Sequence, residues 1–227
     1  METHLQAGRS QGLIDREGFI RANTSVLAPP LVPEVVLHLA HEAVPLWQKT
    51  EEELGEMGLP PPFWAFAWAG GQALARYVLD HPDIFSGKHV LDLASGSGLV
   101  AIAAMKAGAA TVLAADIDQF AVVAMGLNAE INGVYIDTTD ANLLALPPQS
   151  FDVILVGDLF YDRNIAGRCF DWLRMAQDNG AHVLIGDPGR TYLPRDKLEN
   201  VAQFQVPVSR DLEDAEIKTS AVWALRA

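Results

Sequence analysis

Residues 90–98 read Val90-Leu91-Asp92-Leu93-Ala94-Ser95-Gly96-Ser97-Gly98, and a helical pattern over 99–107 follows at once. The apolar run predicts a strand, and the small residues after Asp92 allow a tight turn. Gly96 and Gly98 permit positive φ angles and a close approach of the backbone to a ligand. The first turn of the following helix offers N–H groups that have no intrahelical partner. This strand, loop and helix therefore predict a cradle for a nucleotide-type cofactor.

From residue 89 onward, strand-like and helical patterns alternate, which is typical of a doubly wound α/β sheet. The strand-like runs lie at 89–93, 111–115, 134–138, 152–157, 181–185, 201–208 and 220–226. The helical patterns begin at residues 97, 118, 163 and 195. No long helix separates the last two runs, so we expect them to pair antiparallel. The sequence therefore predicts a Rossmann-like, seven-stranded and mostly parallel sheet with an antiparallel closing strand and helices on both faces.

The chain length of 227 residues suffices for one α/β domain and a leading segment of about 60 residues. We therefore predict an N-terminal helical extension over 1–60 and a cofactor-binding domain over 61–227. Within the extension, three prolines indicate an extended segment, and a helix is expected from Glu34 onward. An aromatic segment over 63–71 begins another predicted helix.

The composition excludes several classes of protein. A formal net charge of -13 argues against a nucleic-acid partner, because phosphate binding needs clustered Lys and Arg. No run of about eighteen apolar residues is present, so we expect no membrane span. The first residues lack the apolar core of a secretory signal, and the expected location is cytoplasmic. Basic or neutral partners fit this charge best.

The cysteine and histidine residues favour neither a thiol nucleophile nor a metal centre. Cys169 is the single cysteine and lies in a helical pattern beside aromatic residues, which predicts a buried and inert thiol. His38 and His41 share a helical face, but only Glu42 lies beside them as a further candidate ligand. We therefore expect no metal site.

Carboxylates follow five consecutive strands of the predicted sheet, at the edge where open α/β sheets bind ligands. They are Asp92, Asp116, Asp140, Asp158 and Asp187. Asp116 follows Asp92 by 24 residues, close to the spacing at which an acid accepts hydrogen bonds from both ribose hydroxyls. The alternative is that Asp116 caps the helix from residue 118, although Asp118 can fill that role. We favour ribose binding by Asp116.

Asp158 comes directly after a continuously apolar strand, and a carboxylate there is costly to bury unless it is paired. The next turn offers only aromatic residues and Asp162 as neighbours in sequence. Because this turn supplies no cationic partner, a chemical role is favoured. Asp158 and the nearby Tyr161 are therefore the predicted catalytic residues.

The loop Asp92-Leu93-Ala94-Ser95-Gly96-Ser97-Gly98 resembles the D/E-x-G-x-G-x-G loop of seven-β-strand S-adenosylmethionine-dependent methyltransferases. It departs from that pattern at Ala94, which stands in place of the first glycine. The resemblance implies that Ala94, Ser95, Gly96 and Gly98 hold the methionine end of S-adenosylmethionine. It also implies that Asp92 helps to position the ammonium group of that cofactor.

Two further motifs narrow the resemblance. Asp158-Leu159-Phe160-Tyr161 matches the D/E-x-x-Y motif of a family of protein lysine methyltransferases. Together with residues 62–74, it is similar to the lysine methyltransferases of the electron transfer flavoprotein β subunit, and the likeness spans about residues 20–227. The resemblance implies a protein substrate, with that β subunit as the expected partner, and S-adenosylmethionine binding by the domain over 61–227.

The same resemblance implies roles for the remaining site residues. Trp68 forms a wall beside the cofactor, Ile117 lies against adenine, and Asp140 contacts the adenine amino group. Asp158 accepts hydrogen bonds from the substrate lysine, and Tyr161 shapes the channel for that lysine. On the sequence alone, Trp68 also fits an ordinary core position and Asp140 a turn cap.

Three other functions stay open at this point. A nicotinamide-dependent oxidoreductase has a similar sheet, but it needs a pyrophosphate loop and a Tyr-x-x-x-Lys pair that this sequence lacks. A methyltransferase for small molecules, such as a nicotinamide-like amine, fits the same cofactor loop. The third is a non-catalytic interaction module that keeps the fold, and the presence of Asp116 together with residues 158–161 speaks against it.

Overall fold

The computed structural model describes residues 15–40, 61–208 and 216–226. The strands in these ranges are β1 Ser25–Leu27, β2 Leu37–Leu39, β3 His89–Leu93, β4 Thr111–Ala115, β5 Asp137–Thr139, β6 Val153–Gly157, β7 His182–Asp187, β8 Leu198–Pro207 and β9 Ile217–Leu225. The α-helices in them are α1 Arg16–Asn23, α2 Ala69–Asp80, α3 Pro82–Phe85, α4 Leu99–Lys106, α5 Gln119–Ile131 and α6 Arg163–Asp178. Short 3-10 turns lie at Phe63–Ala65, Leu143–Ala145 and Arg195–Lys197.

Seven of these strands form one sheet in the order β5-β4-β3-β6-β7-β9-β8. Strands β3 to β7 pair in parallel, whereas β9 pairs antiparallel with both β7 and β8. The chain builds outward from β3 to β5 and then returns to the other side of β3 with β6. Ligands bind at such a reversal of strand order, beyond the carboxyl ends of the strands. The predicted Rossmann-like sheet and its antiparallel closing pair are confirmed.

Apolar layers cover both faces of this sheet. Val90 and Leu155 contribute to one core, which contains residues of α2, α4 and α5. Leu91 and Ile154 contribute to a second core together with Leu173 of α6. Successive side chains of a strand point to opposite faces, so β3 and β6 each supply both cores. Burial on both faces explains why these strands read as continuous apolar runs in the sequence.

The prediction of a helix from Glu34 is wrong, because this segment contains β2, which pairs antiparallel with β1. Two asparagine side chains, Asn128 in α5 and Asn132 at the C-cap of α5, bind the backbone of this segment. Asn128 Oδ1 accepts a hydrogen bond from the His38 N–H at 2.7 Å, and Asn132 bonds both the N–H and the carbonyl of Val36. Asn128 and His38 lie 90 positions apart in sequence, so a local pattern cannot reveal this contact.

The described part of the predicted N-terminal extension therefore contains one helix and one hairpin rather than helices throughout. Helix α1 packs against α5, and the Phe19 and Phe120 rings meet edge to face with centroids 5.4 Å apart. The predicted domain boundary after residue 60 borders the segment 41–60, which lies outside the described residues together with His41. That boundary stays a prediction.

The predicted helix from residue 195 is also wrong. A 3-10 turn ends at Lys197, and β8 begins at the next residue and pairs with β9, with a bulge between Asn200 and Ala202. Beyond that bulge, residues 201–207 alternate in exposure, as expected of a strand with one covered face. Sheet pairing therefore decides the conformation of this segment. The fifth strand, predicted over 134–138, lies at 137–139.

No helix in the described ranges combines the length and the apolar character that a membrane crossing requires. The same part of the chain contains no group of three or more His, Cys, Asp or Glu side chains arranged to hold a metal ion. Cys169 is fully buried, and burial raises the pKa of its thiol to about 12. The predicted burial of this thiol is thus confirmed.

Candidate active site

A cavity of about 790 Å³ lies beyond the carboxyl ends of β3, β4 and β6. This volume is typical of sites for cofactors and small molecules. Nine of the predicted site residues line it: Trp68, Asp92, Ala94, Ser95, Gly96, Asp116, Ile117, Asp158 and Tyr161. The sheet and the aromatic segment before α2 therefore bring together most of the residues that the sequence singles out.

The loop after β3 contains three residues in the left-handed conformation. Ala94, Gly96 and Gly98 have φ angles of 57°, 56° and 82°. Glycine adopts this conformation freely, whereas for alanine it is disfavoured by about 1 kcal/mol. A Cβ atom on Gly98 would lie 3.3 Å from Met125 Cγ, so glycine allows the loop to pass close to α5. Gly98 is not among the residues that line the cavity, and its role here is to shape the loop.

Asp92 is almost fully buried, and its carboxylate organises the loop. Its Oδ2 atom accepts hydrogen bonds from the Ser95 hydroxyl at 2.5 Å and from the Ala101 N–H at 3.0 Å. Burial raises the pKa of Asp92 to about 7, and the nearby charge of Asp116 acts in the same direction. Asp92 thus connects β3, the loop and the beginning of α4.

Asp116 connects the loop after β3 with the end of β4. Its Oδ2 atom accepts a hydrogen bond from the Gly96 N–H at 2.9 Å, and its Oδ1 atom accepts one from the Asp118 N–H at 3.0 Å. Asp118 is the N-cap of α5, where it accepts a hydrogen bond from the Phe120 N–H. Burial raises the pKa of Asp116. The Ile117 side chain is 69% exposed at the edge of the cavity.

Asp140 lies apart from these residues. It is exposed and is not among the residues that line the cavity, whereas its neighbours Ala141 and Asn142 are. Strand β5 ends at Thr139, and the residues that reach the cavity are those that come after Asp140. The structure therefore does not bring Asp140 together with the other predicted cofactor-binding residues.

The Asp158 carboxylate is held on both oxygens. Its Oδ2 atom accepts a hydrogen bond from the Gly71 N–H at 2.8 Å, and its Oδ1 atom lies 2.9 Å from the Arg190 guanidinium. Asp158 itself has a φ angle of 54°, which turns the chain sharply at the end of β6. A Cβ atom on Gly70 would lie 2.5 Å from Asp158 Oδ2, so only glycine lets the carboxylate lie against the beginning of α2.

Burial dominates the electrostatics of Asp158. It raises the pKa of the carboxyl to about 7, and the negative charge of Asp187 adds to this effect. Arg190 and the Gly71 N–H lower the pKa because they stabilise the charged form. Asp158 is therefore a buried acid whose charge state near neutral pH depends on its partners.

Aromatic side chains form the wall beside Asp158. The Trp68 indole N–H donates to the Phe63 carbonyl at 2.9 Å, and the two rings meet edge to face with centroids 5.9 Å apart. Tyr161 is about half exposed and packs on Phe63 with ring centroids 5.7 Å apart. The Arg190 guanidinium carbon lies 5.7 Å from the centroid of the Trp68 ring. This wall connects the aromatic segment to the D-x-x-Y turn.

Sequence reasoning missed the partners of Asp158. Gly71 is 87 positions and Arg190 is 32 positions away in sequence, so the turn after β6 gives no sign of either. The signal that could have found Arg190 is its place in Asp187-Pro188-Gly189-Arg190, directly after the neighbouring strand β7. A cation at one strand end beside an acid at the next strand end is a candidate ion pair.

Comparison with known proteins decides the family. The family model described as "Ribosomal protein L11 methyltransferase (PrmA)" matches residues 73–159. The "Electron transfer flavoprotein beta subunit lysine methyltransferase" of Danio rerio is 38% identical over 216 residues, covering 92% of this chain and 83% of that protein. The Homo sapiens protein of the same name is 36% identical over 247 residues, covering 98% of this chain and 93% of that protein. This chain belongs to that family.

Members of the electron transfer flavoprotein β subunit lysine methyltransferase family are methyltransferases, and so is this protein. The fold agrees with this membership. A crystal structure of ribosomal protein L11 methylase from Lactobacillus delbrueckii subsp. bulgaricus superimposes with a TM-score of 0.51 at 22% identity, over 71% of this chain and 81% of that chain. The cavity at the switch point of the sheet is therefore the candidate active site of a methyltransferase.

Proposed function

We propose that this protein is an S-adenosylmethionine-dependent protein-lysine N-methyltransferase and that its substrate is the electron transfer flavoprotein β subunit. One observation carries the proposal: a single cavity joins the glycine loop and Asp116 to the D-x-x-Y turn of residues 158–161. Relatives that bear this activity in their name match more than nine-tenths of the chain. In this proposal, the part of the cavity lined by the glycine loop and Asp116 is the cofactor end. The part lined by the turn of residues 158–161 is the substrate end, which receives the amine.

The residues at the cofactor end fit S-adenosylmethionine. The carboxylate of Asp116 keeps acceptor capacity beyond its two backbone bonds and is suited to bind the ribose hydroxyls. The left-handed loop from Ala94 to Gly96 brings backbone against the cavity, and Ile117 and Trp68 offer apolar surface for the adenine and its surroundings. When bound, S-adenosylmethionine supplies a methyl group on a positively charged sulfur.

We further propose that Ser95 and Asp92 shape the place of the methionine end, with Gly98 keeping the loop close to α5. Asp140 is proposed to act only if the β5 turn rearranges, because its side chain lies away from the cavity in the described structure. The more direct candidates on this turn are Ala141 and Asn142, which line the cavity beside Asp116.

At the substrate end, the lysine must react as a neutral amine. A free lysine has a pKa of about 10.4, so at pH 7 about one molecule in two thousand is neutral, which corresponds to about 4.6 kcal/mol. Removal of the ammonium group from water favours its neutral form. Asp158 accepts a hydrogen bond from the amine and orients its lone pair toward the cofactor end. Tyr161 and Phe63 form the wall of the channel that admits the side chain.

The formal net charge of -13 supports the choice of a lysine-bearing protein surface as the partner. The same charge disfavours a nucleic-acid substrate. We also propose a cytoplasmic location, as expected from the sequence, and cell fractionation with an antibody to the protein tests it. Recovery of the protein in a membrane or exported fraction would contradict this location.

The test is methylation of the purified β subunit in the presence of S-adenosylmethionine, measured by intact-protein mass spectrometry. We expect a mass increase of one or more methyl groups that is confined to lysine residues. A thermal shift with S-adenosylhomocysteine but not with NAD separates this function from a nicotinamide-dependent oxidoreductase. Transfer to small amines without transfer to the β subunit would contradict the proposed substrate.

A further inference from the structure

Arg190 lies at the substrate end of the cavity, between a carboxylate and an aromatic ring. Its guanidinium contacts Asp158 Oδ1 at 2.9 Å and lies over the face of Trp68. The side chains of this pair are 21% and 10% exposed, so water screens the contact only partly. Arg190 also lines the cavity. It therefore stands beside the acid that is proposed to receive the substrate amine.

A tight turn after β7 sets the position of Arg190. The buried Asp187 carboxylate accepts hydrogen bonds from the N–H groups of Gly189 and Arg190, both at 2.6 Å. Gly189 has a φ angle of 94°, a conformation that glycine adopts without strain. This turn directs the chain back toward β6, and the cation at its end reaches Asp158. The position of Arg190 is thus built into the end of the neighbouring strand.

The two partners of Asp158 restrain different oxygens. The Gly71 N–H from α2 donates to Oδ2, and Arg190 from the loop after β7 contacts Oδ1. A carboxylate held at both ends cannot rotate freely about its terminal bond. Each oxygen retains a further lone pair, so the carboxylate can still accept a hydrogen bond from a third group.

The charges that face Asp158 come from few elements. Helix α2 contributes a backbone N–H at Gly71, and the loop after β7 contributes the positive charge of Arg190 and the negative charge of Asp187. The Tyr161 hydroxyl lies on the same turn as Asp158, and the other charged side chains that line the same cavity are Asp92, Asp116, Asp118 and Arg168 of α6. Burial and the negative charge of Asp187 raise the pKa of the Asp158 carboxyl, and the positive charge of Arg190 lowers it.

We propose that Arg190 is a positioning residue for methyl transfer: together with the Gly71 N–H, its guanidinium holds the Asp158 carboxylate charged and oriented for the incoming amine. This inference rests on the proposed function, because it takes Asp158 as the acceptor of that amine. Arg190 does not touch the reacting atoms, and its effect is transmitted through Asp158. Loss of its charge should therefore change the pH at which Asp158 is ionised.

The test is a carbon-13 NMR titration of the full chain labelled at its aspartate carboxyl groups, with the Asp158 signal assigned from its loss in Asp158→Asn. Arg190→Gln removes the cation, and the midpoint of the Asp158 titration should rise by about one pH unit or more. From a pKa of about 7, the ionised fraction at pH 7 then falls from about half to about a tenth. The kcat for the β subunit should fall about fivefold at pH 7 and recover near pH 9.

Three further variants complete the test. Arg190→Met also removes the charge but keeps an apolar stem against Trp68, so it replaces Arg190→Gln if that variant does not fold. Arg190→Lys keeps the charge and should restore most of the wild-type pH profile. Arg163→Gln removes an equal charge from the exposed beginning of α6 and should leave the Asp158 midpoint unchanged. Binding of S-adenosylhomocysteine, measured by calorimetry, should be alike in all of them.

The outcomes separate this inference from the proposed function. Wild-type protein that folds but does not methylate the β subunit contradicts the proposed function, and the NMR titration then still decides whether Arg190 holds Asp158 charged. An active wild type whose Gln and Met variants keep the same Asp158 midpoint and the same pH profile overturns the positioning role. Faster turnover of these variants at pH 7 also overturns the positioning role, because Arg190 would then compete with the substrate lysine for Asp158.

Discussion

Two buried carboxylates that line the cavity, Asp92 and Asp158, have similarly raised pKa values but differ in where their hydrogen-bond partners come from. Burial raises the pKa of both Asp92 and Asp158 to about 7. The partners of Asp92 are Ser95 and Ala101, which are 3 and 9 positions away. The partners of Asp158 lie 87 and 32 positions away, on two other elements. The hydrogen bonds of Asp92 stay within one strand-loop-helix unit, whereas those of Asp158 come from two other elements of the fold.

This difference bears on what each end of the cavity can do. The loop at the cofactor end is held by hydrogen bonds inside one strand-loop-helix unit and by one bond from the Gly96 N–H to Asp116, directly after the neighbouring strand β4. The substrate end depends on the packing of α2 and of the loop after β7 against β6. Changes at the cofactor end should therefore alter cofactor binding and stability, whereas changes at the substrate end should alter the rate of transfer.

The largest effect is expected at the substrate end. Asp158→Asn removes the charged acceptor while keeping an oxygen for the Gly71 N–H, and methyl transfer should fall by about 100-fold or more. Calorimetry should show nearly unchanged binding of S-adenosylhomocysteine. Asp162→Asn is the matched control, because asparagine is also a good N-cap for α6 and that variant should stay active. Near-normal turnover of Asp158→Asn would remove Asp158 from the mechanism.

A smaller effect is expected from Asp116→Asn at the cofactor end. Hydrogen bonds to a charged acceptor contribute about 1.5 to 3 kcal/mol, so the Kd for S-adenosylhomocysteine should rise about tenfold or more. Asp118→Asn keeps the N-cap of α5 and serves as the control. Equal affinities of Asp116→Asn and the wild type in calorimetry would contradict cofactor binding by Asp116, because Asp116 would then only organise the loop.

The buried acid in the loop predicts a pH dependence of stability. The pKa of Asp92 in the folded protein, about 7, lies above the usual value of about 3.9 for the unfolded chain. Its stabilising contribution is therefore complete below about pH 4 and is lost as the pH rises through 7. Relative to Asp92→Asn, the wild type should lose unfolding free energy between pH 5 and 7, by up to about 1.4 kcal/mol per pH unit. Urea titrations at several pH values measure this difference, and a gain would contradict it.

The smallest effects concern the left-handed loop residues. Gly98→Ala should destabilise the protein by about 1 kcal/mol or more, because the φ angle is positive and Met125 is close. Ala94→Gly relieves the same backbone strain but adds freedom to the unfolded chain, so a change below about 1 kcal/mol is expected. Thermal unfolding of the two variants measures both, and equal destabilisation would contradict this account of the loop.

Local sequence patterns predicted the strands and the loop whose conformation depends on residues nearby in the chain. Strands β3 and β4 have the predicted bounds, because a buried parallel strand is a short apolar run between turn residues. The loop after β3 and Asp116 line the cavity, and both were singled out in the same way, through spacing along one strand-loop-helix unit and the next strand. The loop's inner hydrogen bonds follow from the same short stretch.

Long-range contacts account for what the sequence did not predict. Strand β2 depends on the side-chain amides of Asn128 and Asn132, so its segment was predicted as a helix. Strand β8 depends on its pairing with β9, so its first residues were predicted as part of a helix from 195, whereas the rest was predicted as a strand over 201–208. The Arg190 partner of Asp158 comes from another strand end. Asp140 was expected at the site from its place after a predicted strand and from the resemblance, whereas Ala141 and Asn142 are the residues after β5 that line the cavity. For β2, β8 and Arg190, contacts with a second element decide the outcome.

The most direct test of the account is intact-protein mass spectrometry of the β subunit after incubation with this protein and S-adenosylmethionine. We predict a mass increase by whole methyl groups on lysine, absent when Asp158→Asn replaces the wild type. An unchanged mass, obtained with protein whose thermal unfolding temperature rises in S-adenosylhomocysteine, would contradict methyl transfer to this substrate.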